Sequence, residues 1–179
     1  MKFIETPLKG SFLIQGEYQN DERGFFGRMF CVHEFASHGL KSDIVQANHS
    51  KSTQKHTLRG LHYQIAPMEE TKIVKCIKGR IFDVIVDIRK DSNSYGRWFG
   101  EELSENNLKM MYVPHGFAHG FLTLEEDSEI IYFVSQYYSK EFERGICWND
   151  ASIAINWPAY PKIISDRDQK HPQFGKNEE

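Results

Sequence analysis

Between Ile73 and Gln136 the chain alternates short runs of β-branched and aromatic residues with turn residues. Ile73-Val74-Lys75-Cys76-Ile77 leads into a Lys78-Gly79 turn, and Arg80 to Arg89 follows as a long apolar run, RIFDVIVDIR. Tyr112-Val113, Gly120 to Leu124 and Glu129 to Gln136 repeat this texture, and Ser11 to Ile14 and Gly24 to Val32 also read as extended. The pattern predicts many short strands. Helical signals are few: His33 to His38, stopped by Gly39, predicts a short helix, and Ser104 to Asn107 a turn or one helical turn. Such a chain of 179 residues predicts an all-β sandwich or barrel with a few short peripheral helices. A hollow jelly roll would let His62, Lys72 and His119, which sit among apolar neighbours, project inward. From Trp157 on, Pro and polar residues predict a segment wrapping the surface, with Gly175 to Glu179 frayed. No repeat, low-complexity tract or linker divides the sequence, so a single domain over residues 1–179 is expected.

Composition narrows the function. Lys and Arg number 22 against 25 Asp and Glu, a net charge of −3, which argues against nucleic acid as a partner. A local anion pocket for a small ligand remains compatible with that balance. Cys31, Cys76 and Cys147 are odd in number and include no C-x-x-C, so they read as free thiols in a reducing compartment. Glu5 and Pro7 interrupt any leader-like apolar run at Met1, and the stretches Ile81 to Ile88 and Ile130 to Val134 are too short to span a bilayer. A cytoplasmic protein without membrane association is expected.

Five clusters carry candidate chemistry. In Arg59-Gly60-Leu61-His62-Tyr63-Gln64, strand alternation puts Leu61 and Tyr63 on one face and His62 and Gln64 on the other. His62 then reads either as a hydrogen-bonded histidine of a polar core or as a general base. In Pro114-His115-Gly116-Phe117-Ala118-His119 a tight turn delivers His119 to a strand start, and P-x-G-x-x-H resembles the second motif of the cupin superfamily of small β-barrels. Metal-binding cupins carry H-x-H in the first motif, whereas this chain has His62-Tyr63-Gln64. His62, Glu70 and His119 are the remaining ligand candidates, a poor supply, and no metal is expected. Asp21-Glu22-Arg23-Gly24-Phe25-Phe26 suits either a solvated turn or an Arg gripping phosphate beside a stacked base. Tyr132 is a phenol inside an apolar strand, which by default is structural. Ser165-Asp166-Arg167-Asp168 says little alone.

Together, D-E-R-G-F-F, Q-x-N-H-S, R-G-L-H-Y-Q, the K-G-x-x-F-D-V-x-V-D-I-R run, P-x-G-F-A-H-G-F, the Tyr132 strand and S-x-x-D closely resemble the dTDP-4-dehydrorhamnose 3,5-epimerase family, from about Ile4 to Pro172. The resemblance implies a cupin-like jelly-roll homodimer that needs neither metal nor nicotinamide. It implies epimerisation at C3 and C5 of dTDP-4-keto-6-deoxyglucose, a nucleotide-diphosphate sugar, on the route to dTDP-L-rhamnose and surface glycans such as O-antigen. By the same resemblance His62 is the base, Asp168 its orienting carboxylate, Lys72 the group facing the C4 oxygen and Tyr132 the proton donor. Substrate contacts fall on Arg23, Gln46, Asn48, Arg59, His119 and Glu143, with Arg167 beside the Asp.

One departure concerns specificity. Where better-known members place a Glu two residues after D-E-R-G-F-F, this chain has Gly27-Arg28-Met29. The reversed charge makes Arg28 a further contact candidate and leaves open a sister specificity: a single-position epimerase, or another nucleotide carrying the 4-keto sugar. A metal-dependent cupin enzyme and a non-catalytic sugar-binding cupin are the competing readings.

Overall fold

The computed structural model describes residues 1–176. One sheet runs in the order β1 (Lys2–Glu5), β2 (Phe12–Gln15), β10 (Lys109–Val113), β7 (Lys72–Lys78), β12 (Ser128–Val134), β5 (Gln46–Ser52). The second runs β13 (Glu143–Gly145), β6 (Thr57–Gln64), β11 (Phe117–Thr123), β8 (Arg80–Asp87), β9 (Trp98–Ser104), with β14 (Ile163–Ile164) added parallel to β6. A separate hairpin pairs β3 (Tyr18–Asp21) with β4 (Gly24–Gly27). Helices α1 (Val32–Ser37) and α2 (Asp166–Gln169) are short. The all-β sandwich or barrel with peripheral helices that the strand pattern predicts is present, and its two facing sheets form the cupin-like jelly roll that the resemblance implies. Among the described residues no helix is long and apolar enough to cross a membrane.

The two sheets face each other because alternate residues of each are apolar on the inner side. Val74, Met111 and Ile130 of the first pack against Ile81, Ile85, Leu103, Phe117 and Phe121 of the second. Outer faces are also apolar and need cover. Phe35 of α1, fully buried, lies with Ile14, Ile73, Met110 and Tyr112 over the first sheet. Leu61, Val86 and Ala118 of the second are covered by Ile146 and Ile153. Sheets buried on both sides read as continuous apolar runs, which is why Arg80 to Arg89 shows no alternation.

Some boundaries differ from expectation. The run from Gly24 is extended only to Gly27 before the chain turns into α1, one residue earlier than the expected helix start. The segment from Trp157 does more than wrap the surface: it supplies β14 and α2, and buries Asp168 to 4% exposure inside the fold. Of the expected frayed tail, residues 177–179 lie outside the described residues, and Lys176 donates its backbone N–H to Gln173 O at 3.2 Å.

Candidate active site

The site is organised by a bulge in β6. Its pairing with β11 runs Arg59↔Phe121 and His62↔His119, so Gly60 and Leu61 together face Gly120. Regular alternation would send Arg59 and His62 to opposite faces, yet both line one cavity. Gly60 is required there. Its φ is +122°, and a Cβ would stand 2.6 Å from Gly120 Cα. Leu61 stays on the outer face with Ala118 and Val86, as alternation predicts.

Asp168 comes from 106 residues away. Ser165 caps α2, its Oγ accepting the Asp168 N–H at 3.1 Å, which turns the Asp168 side chain toward β6. Asp168 Oδ1 lies 2.8 Å from His62 Nε2, and Oδ2 accepts the Gly60 N–H at 3.0 Å. Burial alone would raise this carboxyl's pKa. The neighbouring His171 and His62 imidazoles and the Gly60 amide outweigh burial and hold it far below the ordinary carboxylate range. An ionised Asp168 only accepts, so His62 Nε2 carries the proton and Nδ1 is left free as a base.

Opposite stand the groups of the first sheet. Tyr132 pairs with Asn48 across β12 and β5, and Val134 pairs with both Gln46 and Lys72, so Gln46, Asn48, Tyr132 and Lys72 share the inner face. Lys72 Nζ is 3.0 Å from Glu70 Oε1, both side chains being nearly buried. Burial and then the Glu70 charge push the Tyr132 phenol up, so it stays protonated at neutral pH. Gln46 Nε2 donates to Asn48 Oδ1 at 2.7 Å. Arg59 Nε donates to Ser52 Oγ at 3.2 Å. His119, directly across from His62, is 2.8 Å through Nε2 from Asp83 Oδ2, a fully buried carboxylate.

These side chains border two neighbouring cavities of about 490 and 330 Å³, both lined by His62, Lys72 and Tyr132. Arg59, His119, Arg167 and Asp168 belong to the larger; Gln46, Asn48 and Glu143 to the smaller. Glu143 bonds Arg167 and accepts from Tyr138 Oη at 2.7 Å. Burial would raise its pKa, but Arg167 and Tyr138 more than offset that and keep it ionised.

Arg23 and Arg28 stand apart. Both lie outside these cavities, on or beside the β3–β4 hairpin, whose strands among the described residues pair only with each other. Arg23, 85% exposed, closes on Asp21 at 2.5 Å, and Arg28 Nη1 reaches Glu34 Oε1 at 2.8 Å. The charge reversal noted at Arg28 is therefore met locally by Glu34.

Among the described residues His62, Glu70 and His119 do not come together as a ligand set; Glu70 pairs with Lys72 and His119 with Asp83. His62, Asp168 and His171 do offer ligand atoms within 4.8 Å of one another, but through the atoms that make the His62–Asp168 bond. The roles of His171, Asp83 and Tyr138 escaped the sequence reading. Each works through a partner distant in sequence, and no local motif marks it.

Comparison with known proteins shows the family. The sequence model of the dTDP-4-dehydrorhamnose 3,5-epimerase family matches residues 5–176. A dTDP-4-dehydrorhamnose 3,5-epimerase of Shigella flexneri is 44% identical over 175 residues, 97% of this chain and 96% of that protein. The crystal structure of dTDP-4-dehydrorhamnose 3,5-epimerase from Elizabethkingia anophelis NUHP1 matches with a TM-score of 0.93 at 40% identity, covering 97% of this chain and 96% of that one. That of dTDP-6-deoxy-D-glucose-3,5-epimerase from Legionella pneumophila Philadelphia 1, in complex with dTDP-4-keto-L-rhamnose, matches at 0.91 and 36% identity, covering 96% and 92%.

Proposed function

Because the chain belongs to the dTDP-4-dehydrorhamnose 3,5-epimerase family, we propose that it converts dTDP-4-keto-6-deoxy-D-glucose to dTDP-4-keto-L-rhamnose by inverting C3 and C5, in the supply of dTDP-L-rhamnose for surface polysaccharide. The observation that carries this reading is the 2.8 Å His62–Asp168 pair on a cavity wall shared with Lys72 and Tyr132. The Legionella relative, solved in complex with dTDP-4-keto-L-rhamnose, supports it.

The chemistry follows from the C4 ketone, which acidifies the hydrogens at C3 and C5. His62 Nδ1 takes one of these protons, and the C–H electron pair moves through the new C=C bond onto the C4 oxygen. Asp168 stabilises the resulting imidazolium. Lys72 offers a donor to the developing enolate, an interaction stronger in the transition state than in the ground state, and His119, turned by its bond to Asp83, lines the same cavity. Tyr132 returns a proton to the opposite face of the carbon, because return by His62 would retain configuration. The phenol's raised pKa keeps it protonated until the enolate forms. Arg59 and Arg167 face the larger cavity and suit a diphosphate, while Gln46, Asn48 and Glu143 offer the smaller one polar contacts.

The reading includes a homodimer. The β3–β4 hairpin leaves Phe25 and Phe26 59% and 78% exposed beside Arg23. Two bare aromatic rings next to a guanidinium suit stacking on a base and gripping a phosphate in a second copy's cavity. Free Cys31, Cys76 and Cys147 and a nucleotide-sugar substrate support a cytoplasmic setting.

The test is mass spectrometry of dTDP-4-keto-6-deoxyglucose incubated with the protein in D₂O. Uptake of two deuterons, lost in His62→Ala, is the expected result. Absence of uptake with folded protein overturns the reading.

A further inference from the structure

His171 stands against the base pair and lines neither of the two cavities. Its Nε2 is 3.5 Å from Asp168 Oδ1, the oxygen that His62 Nε2 reaches at 2.8 Å. That longer approach is an ion-pair distance rather than a formed hydrogen bond, and His171 Nε2 is buried with no other partner among the described residues. The ring stands edge-on to His62, centroids 5.4 Å apart at an interplanar angle of 79°.

The surroundings are shaped to hold that ring. Gly145 is the β13 partner of His62, so a side chain there would share its face. A Cβ on Gly145 would lie 2.3 Å from His171 Nδ1 and Cε1, so the missing side chain is the space the imidazole fills. Pro172 O accepts the Cys147 N–H at 2.8 Å, and Ser165 caps the turn that carries Asp168. The chain on both sides of His171 is thus tied down.

We infer that His171 is a positioning residue for proton abstraction, a second imidazole that shares Asp168 with His62 and couples the protonation of the two rings. This rests on His62 being the base. Other charged groups around the pair are matched among themselves: Glu143 with Arg167, Lys72 with Glu70, His119 with Asp83. Among the described residues, Asp168 is the one carboxylate within ion-pair distance of both rings. A proton on His171 draws on the charge that stabilises the His62 imidazolium and repels that imidazolium directly. Conversely, a proton taken by His62 from the substrate disfavours one on His171, which leaves Asp168 to His62.

The test begins without substrate, by NMR titration of the histidine rings in the intact protein. In the native chain each ring is expected to titrate in two steps, protonation of one altering the other. In His171→Phe, which keeps a flat ring and removes the donor, His62 titrates in one step. Its midpoint moves up by about half a pH unit or more, roughly a threefold change in proton affinity. Gly145→Ala, which displaces the ring without altering it, moves the midpoint the same way. In turnover assays the acid limb of the kcat/KM profile shifts upward with it, while KM stays within about twofold. Independent single-step curves in the native protein overturn the inference, even if neither variant folds. So does a raised KM with unchanged kcat and acid limb, which would make His171 a substrate contact. Coupled titration without deuterium uptake would instead count against the epimerase reading.

Discussion

The backbone N–H of Gly60 and the ring of His62 grip opposite oxygens of Asp168, at 3.0 and 2.8 Å. The strand that carries the base therefore also orients the carboxylate that orients the base. In Asp168→Asn the Gly60 N–H still needs an acceptor, so the amide oxygen takes the Oδ2 position and the NH₂ faces His62. His62 Nε2 must then accept, the proton moves to Nδ1, and the base is occupied. We expect kcat to fall about 10²–10⁴-fold with little change in KM, measured by steady-state kinetics.

Gly60 itself is irreplaceable for a separate reason. In Gly60→Ala the new methyl meets Gly120 Cα at 2.6 Å and His119 O at 2.8 Å, at a φ of +122°. Urea denaturation should show a loss of about 2–5 kcal/mol from combined strain and overpacking. Activity of the surviving folded fraction should fall as well, because β6 cannot keep the bulge that turns both Arg59 and His62 inward.

Tyr132→Phe separates the two halves of the reaction. Among the described residues the Tyr132 hydroxyl has no hydrogen-bond partner, so its removal should change stability by less than about 1 kcal/mol. His62 still removes a proton. Substrate in D₂O should therefore take up deuterium with its original configuration while inverted product forms at least about tenfold more slowly. Equal loss of exchange and inversion would place Tyr132 outside the proton return.

The strands of the two core sheets were legible because they bury apolar residues on both faces. β5 (Gln46–Ser52) was not: it is an edge strand whose inward residues Gln46, Asn48 and Ser50 line cavities and are polar by function. β9 (Trp98–Ser104) is likewise an edge, with Glu101 and Glu102 mid-strand. The catalytic set could be assembled only from the order of its motifs, since nothing local links Asp168 to His62. Alternation also misplaces Arg59, because a bulge of one residue resets the face. His171 was invisible for a different reason. Its position depends on a glycine, Gly145, whose value lies in what it leaves empty.

Asp87 gives the fold an acid limit. Its side chain is fully buried and accepts from Arg89, Ser92 and Ser94 at 2.6 to 3.0 Å. Burial opposes ionisation, but these donors lower the pKa from 3.8 to about 2. A depressed folded pKa contributes stability that is complete above the unfolded value and is lost as pH falls through the folded one. Asp87 should thus contribute about 2 kcal/mol at neutral pH, fading between about pH 4 and pH 2. In urea titrations Asp87→Asn should be less stable than the native chain by about that amount at pH 7, with the gap closing toward pH 2.

The β3–β4 hairpin carries the remaining prediction. Arg23, Phe25 and Phe26 are all exposed, and Arg23 closes on Asp21 rather than on any cavity group. If a second copy receives the hairpin, light scattering should show a dimer, and Phe25→Ser with Phe26→Ser should shift it toward monomer. Arg23→Ala should leave the dimer intact, raise KM for the nucleotide sugar about tenfold or more by loss of a charge-assisted phosphate contact, and change kcat little. A monomeric native chain with full activity would mean that the cavity of one subunit binds the nucleotide unaided, and that Arg59 and Arg167 hold the diphosphate alone.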